Sequence, residues 1–414
     1  MCKAPSVPPE PSASSDPDRV AVGFDATPLL GLPTGVGAFC SGALSGLSGL
    51  SSVNVSAFAV SWRRRHGIAP LLPAGVSHRQ RAMPARPLHA AWARWSWPPV
   101  EWFLGRQDVV HGTNYVVPPT RHAARVVTVH DLAVVLYPHL CDPATLAFPA
   151  LIRRAVAEGA WVHTPSQFIA DQVVAELSLD PERVRAVHLG IPPSPPAGDR
   201  EDRLPIVLPE GCRRYVLAVG TIEPRKDYPL LVSAFDAVAS GHPDVALVIV
   251  GRGGWGVEQV RAAVEAATSR ERIVRPGYLD DRGLDAVLRH ASVLAYPSRY
   301  EGFGFPPLQA MSAGIPVVAT AAGAIPEVVG DGAIVVDAGD ADGLAASITR
   351  VLDGGVGIDE LIDRGRRRSA TFTWGACAEG LVDLYRDAVR GQRSGRSGRV
   401  GQTGGPGPGP GAGP

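Results

Sequence analysis

At 414 residues, with 40 basic and 40 acidic side chains, the chain is long enough for two ordinary domains, and its zero net charge excludes a global pull toward nucleic acid. Five scattered cysteines without a CxxC pair exclude a disulfide framework and speak against a zinc site. No run of about 18 apolar residues occurs and the N-terminus lacks an apolar leader, so a soluble, cytoplasmic protein is expected.

Residues 1–18 are rich in Pro and Ser and read as a disordered tail. Val20–Phe24 reads as a first strand, followed by GLPTGVGAFC, in which Gly35 and Gly37 free the backbone to approach a ligand. This is not a GxGxxG fingerprint, because Cys40 stands three positions after Gly37; a nicotinamide dinucleotide site is poorly supported. Val53–Val60 reads as a second strand. Between Val20 and Val110 the cations Arg63, Arg64, Arg65, Arg79, Arg81, Arg86, Arg94 and Arg106 face only Asp25, Glu101 and Asp108. Within this basic region, RPLHAAWARWSWPPVEWF interleaves tryptophan and arginine. That composition suits a membrane interface holding a lipid-linked acceptor, or else a core helix closed by a turn at Pro98–Pro99.

In TVHDLAVVLYP the strand Val126–Val129 ends at His130, where an α/β fold gathers functional groups, and Asp131 is placed to cap the next turn. A purely structural histidine is the competing reading. After a strand at Arg185–His188, the segment Ile191–Leu208 is rich in proline and charge and reads as an interdomain linker. Strands then recur at Tyr215–Val219, Ala246–Val250, Arg272–Val274, Val293–Ala295, Pro316–Ala319 and Ala333–Val336. They alternate with helical stretches at Tyr228–Ala239, Val257–Ala267, Gly283–His290 and Asp342–Leu352. This alternation predicts an α/β protein with parallel sheets in two Rossmann-like domains, 19–195 and 196–373, and a ligand cleft between their strand ends. A last helix is expected at 374–390 and a disordered Gly/Pro-rich tail at 391–414.

Two stretches of the second half carry the chemistry. In LAVGTIEPRKDYPLL, Arg225 and Lys226 follow a strand that ends at Gly220 and precede a helix, which is where a diphosphate is held. In PSRYEGFGFPPLQAM, Glu301 stands in a loop with Gly302 and Gly304, and Pro306 and Pro307 suit a first helical turn whose amides could bind phosphate. Gln309 falls in that first turn.

Taken in order, GFDATPLLGLPTGVGAF, DVVHGTNYVVPP, VVTVHDLAVVLYP, VHTPSQFIADQVV, GTIEPRKDYPLLVSAF, GYLDDRGLDAVLRHASVLAYPSRYEGFGFPPLQAMSAGIPVVAT and IPEVVGDGAIVVDAGD resemble the retaining glycosyltransferases of the two-domain GT-B fold. These belong to the large family, glycosyl transferases group 1, that includes bacterial mannosyltransferases. The likeness covers about Val20 to Val389. It implies that Lys226, with Arg225 beside it, grips a donor diphosphate. It also implies that Gly302, Phe303 and Gly304 offer backbone amides to the phosphates, and that Glu301 lies against the donor sugar. His130 becomes the histidine beside the transferred sugar. Gly35 and Gly37 match a loop near the diphosphate and acceptor, and Tyr278 and Leu279 match the stretch that meets the base. The last helix is implied to cross back to the first domain.

Two positions depart from the family pattern. Thr221 stands where many members place an arginine, and Gln309 stands where a ribose-binding carboxylate is usual. The amide still accepts and donates to hydroxyls, but loses a charge-assisted contribution on the order of 1 kcal/mol. No metal is expected: Asp16 and Asp18 lie in the tail, and Asp340 and Asp342 read as helix capping. The resemblance implies hexose transfer with retention from a nucleoside-diphosphate sugar, GDP-mannose being favoured. The acceptor would be a glycan, a lipid-linked molecule or a small molecule, with an anionic membrane surface as a further partner and no nucleic acid. A degenerate, non-catalytic nucleotide-sugar-binding paralogue is the alternative.

Overall fold

The computed structural model describes residues 19–31, 34–79, 81–141, 145–193 and 204–400. Seven strands form the first sheet: β1 (Val20–Asp25), β2 (Val53–Phe58), β3 (Ser77–Arg79), β4 (Val109–Gly112), β5 (Ala124–Thr128), β6 (Trp161–Thr164) and β7 (Val184–Ala186). Six form the second: β8 (Arg214–Val219), β9 (Val245–Val250), β10 (Ile273–Gly277), β11 (Val293–Tyr296), β12 (Val317–Thr320) and β13 (Ile334–Val336). The strand orders are β3-β2-β1-β4-β5-β6-β7 and β10-β9-β8-β11-β12-β13, and every pairing is parallel. Counted from its own first strand, each sheet begins 3-2-1-4-5-6, the doubly wound order whose direction reverses between the first and fourth strands. This is the expected GT-B architecture of two Rossmann-like units.

Burial explains the strand sequences. β9 reads VALVIV and is buried at every position, because helices cover both faces of a parallel sheet. β3, β4 and β6 depart from the expected set of strands. They are only 3 or 4 residues long, and each carries a histidine that interrupts the apolar run. In the first sheet those polar groups are satisfied internally. The His163 Nε2 faces the Val187 carbonyl at 3.1 Å, so it carries the proton and leaves Nδ1 to accept from the Thr128 hydroxyl at 2.9 Å. Thr128 then accepts from His111 Nε2 at 2.7 Å, and His111 Nδ1 accepts from the Tyr385 hydroxyl at 2.7 Å. Every member is neutral and paired, which is the condition for burying such a chain without a large penalty.

Tyr385 belongs to the C-terminal helix Trp374–Val400, which packs with Cys377, Leu381 and Leu384 against Val22, Phe24 and the helix Gly35–Ser48. It therefore returns to the first sheet. The helix continues past position 390, where a tail was expected to start, through to Val400. The tail residues 1–18 and 401–414 lie outside the described residues, as does much of the expected linker, 194–203.

The tryptophan-rich stretch lies at the opposite edge from the cleft. Ser96 donates to Glu158 just ahead of β6, and Glu101 accepts the amides of Arg121, His122 and Ala123 just ahead of β5. Trp92 is buried, with its Nε1 on the Pro98 carbonyl at 3.0 Å, whereas Trp95, Trp97 and Trp102 are 62%, 58% and 48% exposed. The stretch is thus part core helix and part exposed aromatic surface. Ser96 and Glu101 put its later half at the amino ends of β5 and β6.

Burial lowers the His111 pKa well below the ordinary value and lowers that of His163 to about 3. The unfolded chain therefore takes up protons at these positions near pH 6.5 while the folded chain does not, so stability falls as pH drops through that value. For His163 the loss by pH 5 is about 2 kcal/mol, and His111 acts in the same direction. Asp25, whose buried carboxyl is pushed up to about 6, takes a proton in the folded state first and offsets roughly 1 kcal/mol of this. Denaturant unfolding at pH 7.5 and pH 5 should show the loss, and H163Q should shrink the pH difference by about 2 kcal/mol even though it is less stable at pH 7.5. An unchanged difference in H163Q would show that this histidine is not buried neutral.

Candidate active site

The functional side chains gather at the carboxyl ends of the strands, those of the second sheet where its strand order reverses. Lys226 and Arg225 follow β8, and Glu301 follows β11, its neighbour across the reversal of the second sheet. Lys226 Nζ lies 2.6 Å from Glu301 Oε1 and 2.8 Å from the Tyr296 hydroxyl. Arg225 places Nη1 at 2.9 Å from the other Glu301 oxygen and Nε at 2.9 Å from Glu223. Burial pushes the Glu301 pKa up, but the charges of Lys226 and Arg225 outweigh it and hold the carboxyl at about 2. Burial pulls the Lys226 pKa down against the opposing pull of Glu301. The cluster pairs two cations with two carboxylates at the carboxyl end of the sheet, which is where an anionic ligand would enter.

The loop after Glu301 meets the first domain. A Cβ added at Gly302 would lie 1.9 Å from the His130 carbonyl oxygen, so only glycine fits there. Gly304 has φ +117°, a backbone that L side chains rarely adopt, and it precedes the helix Phe305–Ser312. Pro306 and Pro307 occupy its first turn as expected. They also remove two of the amides that a helix start would otherwise turn toward a phosphate, so this end offers less than was anticipated. The Phe303 side chain is buried between Phe305 and Phe372, with ring centroids 5.5 and 5.7 Å away, which leaves only its backbone for a ligand. Gln309 lies on the helix itself and makes no hydrogen bond to Glu301.

His130 follows β5. Its Nε2 sits 2.8 Å from the Thr113 carbonyl, so the proton is on Nε2 and Nδ1 keeps a lone pair. Burial lowers its pKa, which keeps the ring neutral. Asp131 accepts from the Ala133 amide at 3.0 Å, the turn cap its position predicted. Gly35 begins the helix Gly35–Ser48, and a Cβ there would come within 3.7 Å of the Phe305 ring, which puts this loop opposite the start of the Phe305–Ser312 helix. Gly37 donates its amide to the Thr34 cap at 3.2 Å. Tyr278 is half exposed and stacks with Arg252, whereas Leu279 is partly buried against the second-domain core.

Several groups at the site were not anticipated. The Tyr300 hydroxyl accepts from the Leu132 amide at 2.9 Å and donates to Gln172 at 2.7 Å. Ser166 caps the helix Gln167–Leu177 and donates to the Gly302 carbonyl at 3.0 Å. Glu327 accepts the amides of Gln167 and Phe168 at 2.8 Å each and contacts His188 Nε2 at 2.7 Å. These bonds tie the two domains together beside the cleft. Tyr296, Tyr300 and Glu327 stand inside the quoted stretches, yet only folding reveals their partners, which lie more than a hundred residues away in the case of Tyr300 and Glu327. Among the described residues no group of three His, Cys, Asp or Glu is placed to hold a metal ion, and Asp340 caps its helix through the Gly343 amide at 2.8 Å. Asp16 and Asp18 lie outside the described residues. Cys40, Cys141, Cys212 and Cys377 are free thiols, the first and last buried.

The family described as Glycosyl transferases group 1 matches residues 199–368. The chain is 28% identical over 287 residues to O-antigen chain mannosyltransferase B of Escherichia coli, an alignment spanning 67% of this chain and 74% of that protein. It is 30% identical over 320 residues to D-inositol 3-phosphate glycosyltransferase of Acidothermus cellulolyticus, spanning 72% and 68%. Against three further relatives the alignments span 54–57% of the relatives' length. Among solved structures, sucrose-phosphate synthase from Thermosynechococcus elongatus superposes with a TM-score of 0.66 at 18% identity, covering 89% of this chain and 98% of that one. With this fold, and with relatives at this identity and coverage, the chain belongs to the glycosyl transferases group 1 family and is a glycosyltransferase of the GT-B fold.

Proposed function

We propose that the chain transfers a hexose, mannose in the first instance, from a nucleoside-diphosphate sugar to a glycan or lipid-linked acceptor with retention of configuration. The observation that carries this reading is the buried Lys226–Arg225–Glu301 cluster facing His130 across the Gly302 contact. Lys226 and Arg225 hold the diphosphate and offset the charge that develops on the leaving group. Glu301 then accepts from donor-sugar hydroxyls, and the Nδ1 lone pair of His130 accepts from another hydroxyl of the same sugar. The acceptor hydroxyl attacks on the face from which the diphosphate leaves, with a phosphate oxygen taking its proton. The mannosyltransferase relatives support mannose as the first donor to test.

A proton NMR assay of the product with GDP-mannose should show the donor's anomeric configuration, and an inverted product would end the retaining reading. K226A should lower kcat/KM by roughly 10²–10³-fold while the fold persists. Gln309→Glu should lower the donor KM by about fivefold, the value of one charge-assisted hydrogen bond. A wild-type protein that is inactive until Glu is restored at 309 would instead favour the degenerate binding paralogue.

We assign the exposed Trp95, Trp97 and Trp102, with Arg94 over the Trp95 ring, to a tether on an anionic membrane surface. At the edge opposite the cleft they anchor the first domain rather than grip the acceptor. No described helix is long and apolar enough to cross a membrane. Co-sedimentation with anionic liposomes should be lost in W95S/W97S/W102S while transfer to a water-soluble acceptor persists. Equal sedimentation of the wild type with neutral and anionic liposomes would sink the tether.

A further inference from the structure

Tyr300 belongs by sequence to the second domain and by packing to the first. It follows β11 and precedes Glu301, yet it is buried in a core that includes Val127, Val129, Leu132, Ala133 and Ile169 of the first domain. Its ring centroid lies 5.8 Å from that of Tyr137 and 6.5 Å from that of Phe168. The main chain stays with the second domain. The Tyr300 carbonyl accepts from Arg225 Nη1 at 3.3 Å, and the Glu301 carbonyl accepts from the Ala324 amide at 2.9 Å.

The hydroxyl enters the turn that follows His130. The Asp131 amide donates to the Tyr115 hydroxyl at 3.1 Å and the Ala133 amide to the Asp131 carboxylate at 3.0 Å, both within the first domain. Between them, the Leu132 amide donates to the Tyr300 hydroxyl at 2.9 Å, across the boundary. The phenol proton goes to Gln172 Oε1 at 2.7 Å, so the hydroxyl is used in both directions and its orientation is set. Leu132 is fully buried, which makes an unpaired amide there costly. This bond lies one residue from Glu301 and two from His130. Beside it, Gly302 sits against the His130 carbonyl with no room for a Cβ.

We propose that Tyr300 is a positioning residue whose hydroxyl, through the Leu132 amide, sets Glu301 opposite His130. The inference rests on the roles that the donor reading gives to Glu301 and His130, and it adds what holds them in register. Those two residues come from different domains, and the ion pairs of Lys226 and Arg225 fix Glu301 only within the second. Aligning two groups on one sugar is sensitive to displacements of about 1 Å, so a bond between their loops acts on turnover more than on binding. The side-chain partners of Lys226 and Arg225 do not include the phenol, so the diphosphate end of the site does not depend on it. A role confined to filling the core would need the ring and not the hydroxyl. Y300F separates the two.

Kinetics and deuterium exchange on the full chain test this. With GDP-mannose as donor and methyl α-mannoside as acceptor, Y300F should lower kcat by about 10–100-fold and leave the donor KM within about twofold. Y300F/H130A should fall less than about threefold below H130A, because the register then has no partner left to set. Deuterium exchange over residues 130–134 and 300–304 should be roughly fivefold faster in Y300F, while the helix Tyr228–Gly241 keeps wild-type rates. Q172L, which keeps the Leu132 bond but frees the phenol to turn, should lose about threefold in kcat. An unchanged kcat in Y300F, a loss carried by KM, or a loss that multiplies in full onto H130A would overturn the positioning role. Should Y300F not fold, an unchanged kcat in Q172L overturns it instead. The two readings fail separately. No turnover of GDP-mannose by the wild type overturns the mannose reading, and exchange alone then decides whether Tyr300 fixes the two loops, wild-type rates in Y300F ending that claim.

Discussion

Glu301 is an anion inside the protein, and the rest of the site is arranged around that fact. Removing a carboxylate from water costs several kcal/mol, and the cost is met only when well-placed cations and hydrogen bonds surround it. Lys226 at 2.6 Å and Arg225 at 2.9 Å supply them, and the Tyr296 hydroxyl completes the lysine's shell. The consequence runs both ways. Glu301 keeps its charge, and the two cations are held in place by their ion pairs, which in the proposed donor site would fix them ahead of a diphosphate. Breaking the cluster at any one member leaves an uncompensated charge, which makes these positions sensitive in stability as well as in chemistry.

The fold explains why this cluster can exist at all. Lys226 and Glu301 are 75 residues apart, yet they meet because β8 and β11 are adjacent where the sheet order reverses. The strands on either side of that reversal send their connections to opposite faces, which opens a crevice at their carboxyl ends. In the first sheet the Gly35 helix follows β1 at the reversal, while His130 follows β5, one strand beyond β4. The domains then close against each other through polar contacts beside the cleft. Glu327 sits on two unpaired amides at the start of the Gln167–Leu177 helix, where a negative charge is favoured by the helix dipole. His188 and the neighbouring hydrogen bonds hold that carboxyl below its usual range in spite of its burial.

Much of this was legible in the sequence, and what was not has a physical reason. Alternation of short apolar runs with amphipathic helices gave the two parallel sheets, and only the histidine-bearing β3, β4 and β6 escaped; in β4 and β6 the histidines are satisfied by partners distant in the chain. Lys226, Glu301 and His130 stood out because each follows a strand, a position that can be read from local pattern. Tyr300, Ser166 and Glu327 did not, since each acts across the domain boundary on a group distant in the chain. Phe303 shows the limit of reading a loop by composition. Its place in a glycine loop suggested a ligand, yet its ring fills the seam between the domains. The prolines at 306 and 307 set the helix start as expected, while the amides they lack thin the phosphate site that the same start implied.

Thr221 and Gln309 carry opposite changes of charge relative to the family pattern. Relative to the family pattern, one position gives up a cation beside the diphosphate and the other gives up an anion near the ribose. The proposed donor site therefore keeps its charge balance: Lys226 and Arg225 are matched by Glu301 and Glu223 before the donor enters. In the proposed donor site, a carboxylate at 309 without an arginine at 221 would add a third acid with no further cation. The amide keeps hydrogen-bonding capacity toward the ribose without that charge. In that proposed site the two departures offset one another in charge, one removing a cation and the other an anion from the family pattern.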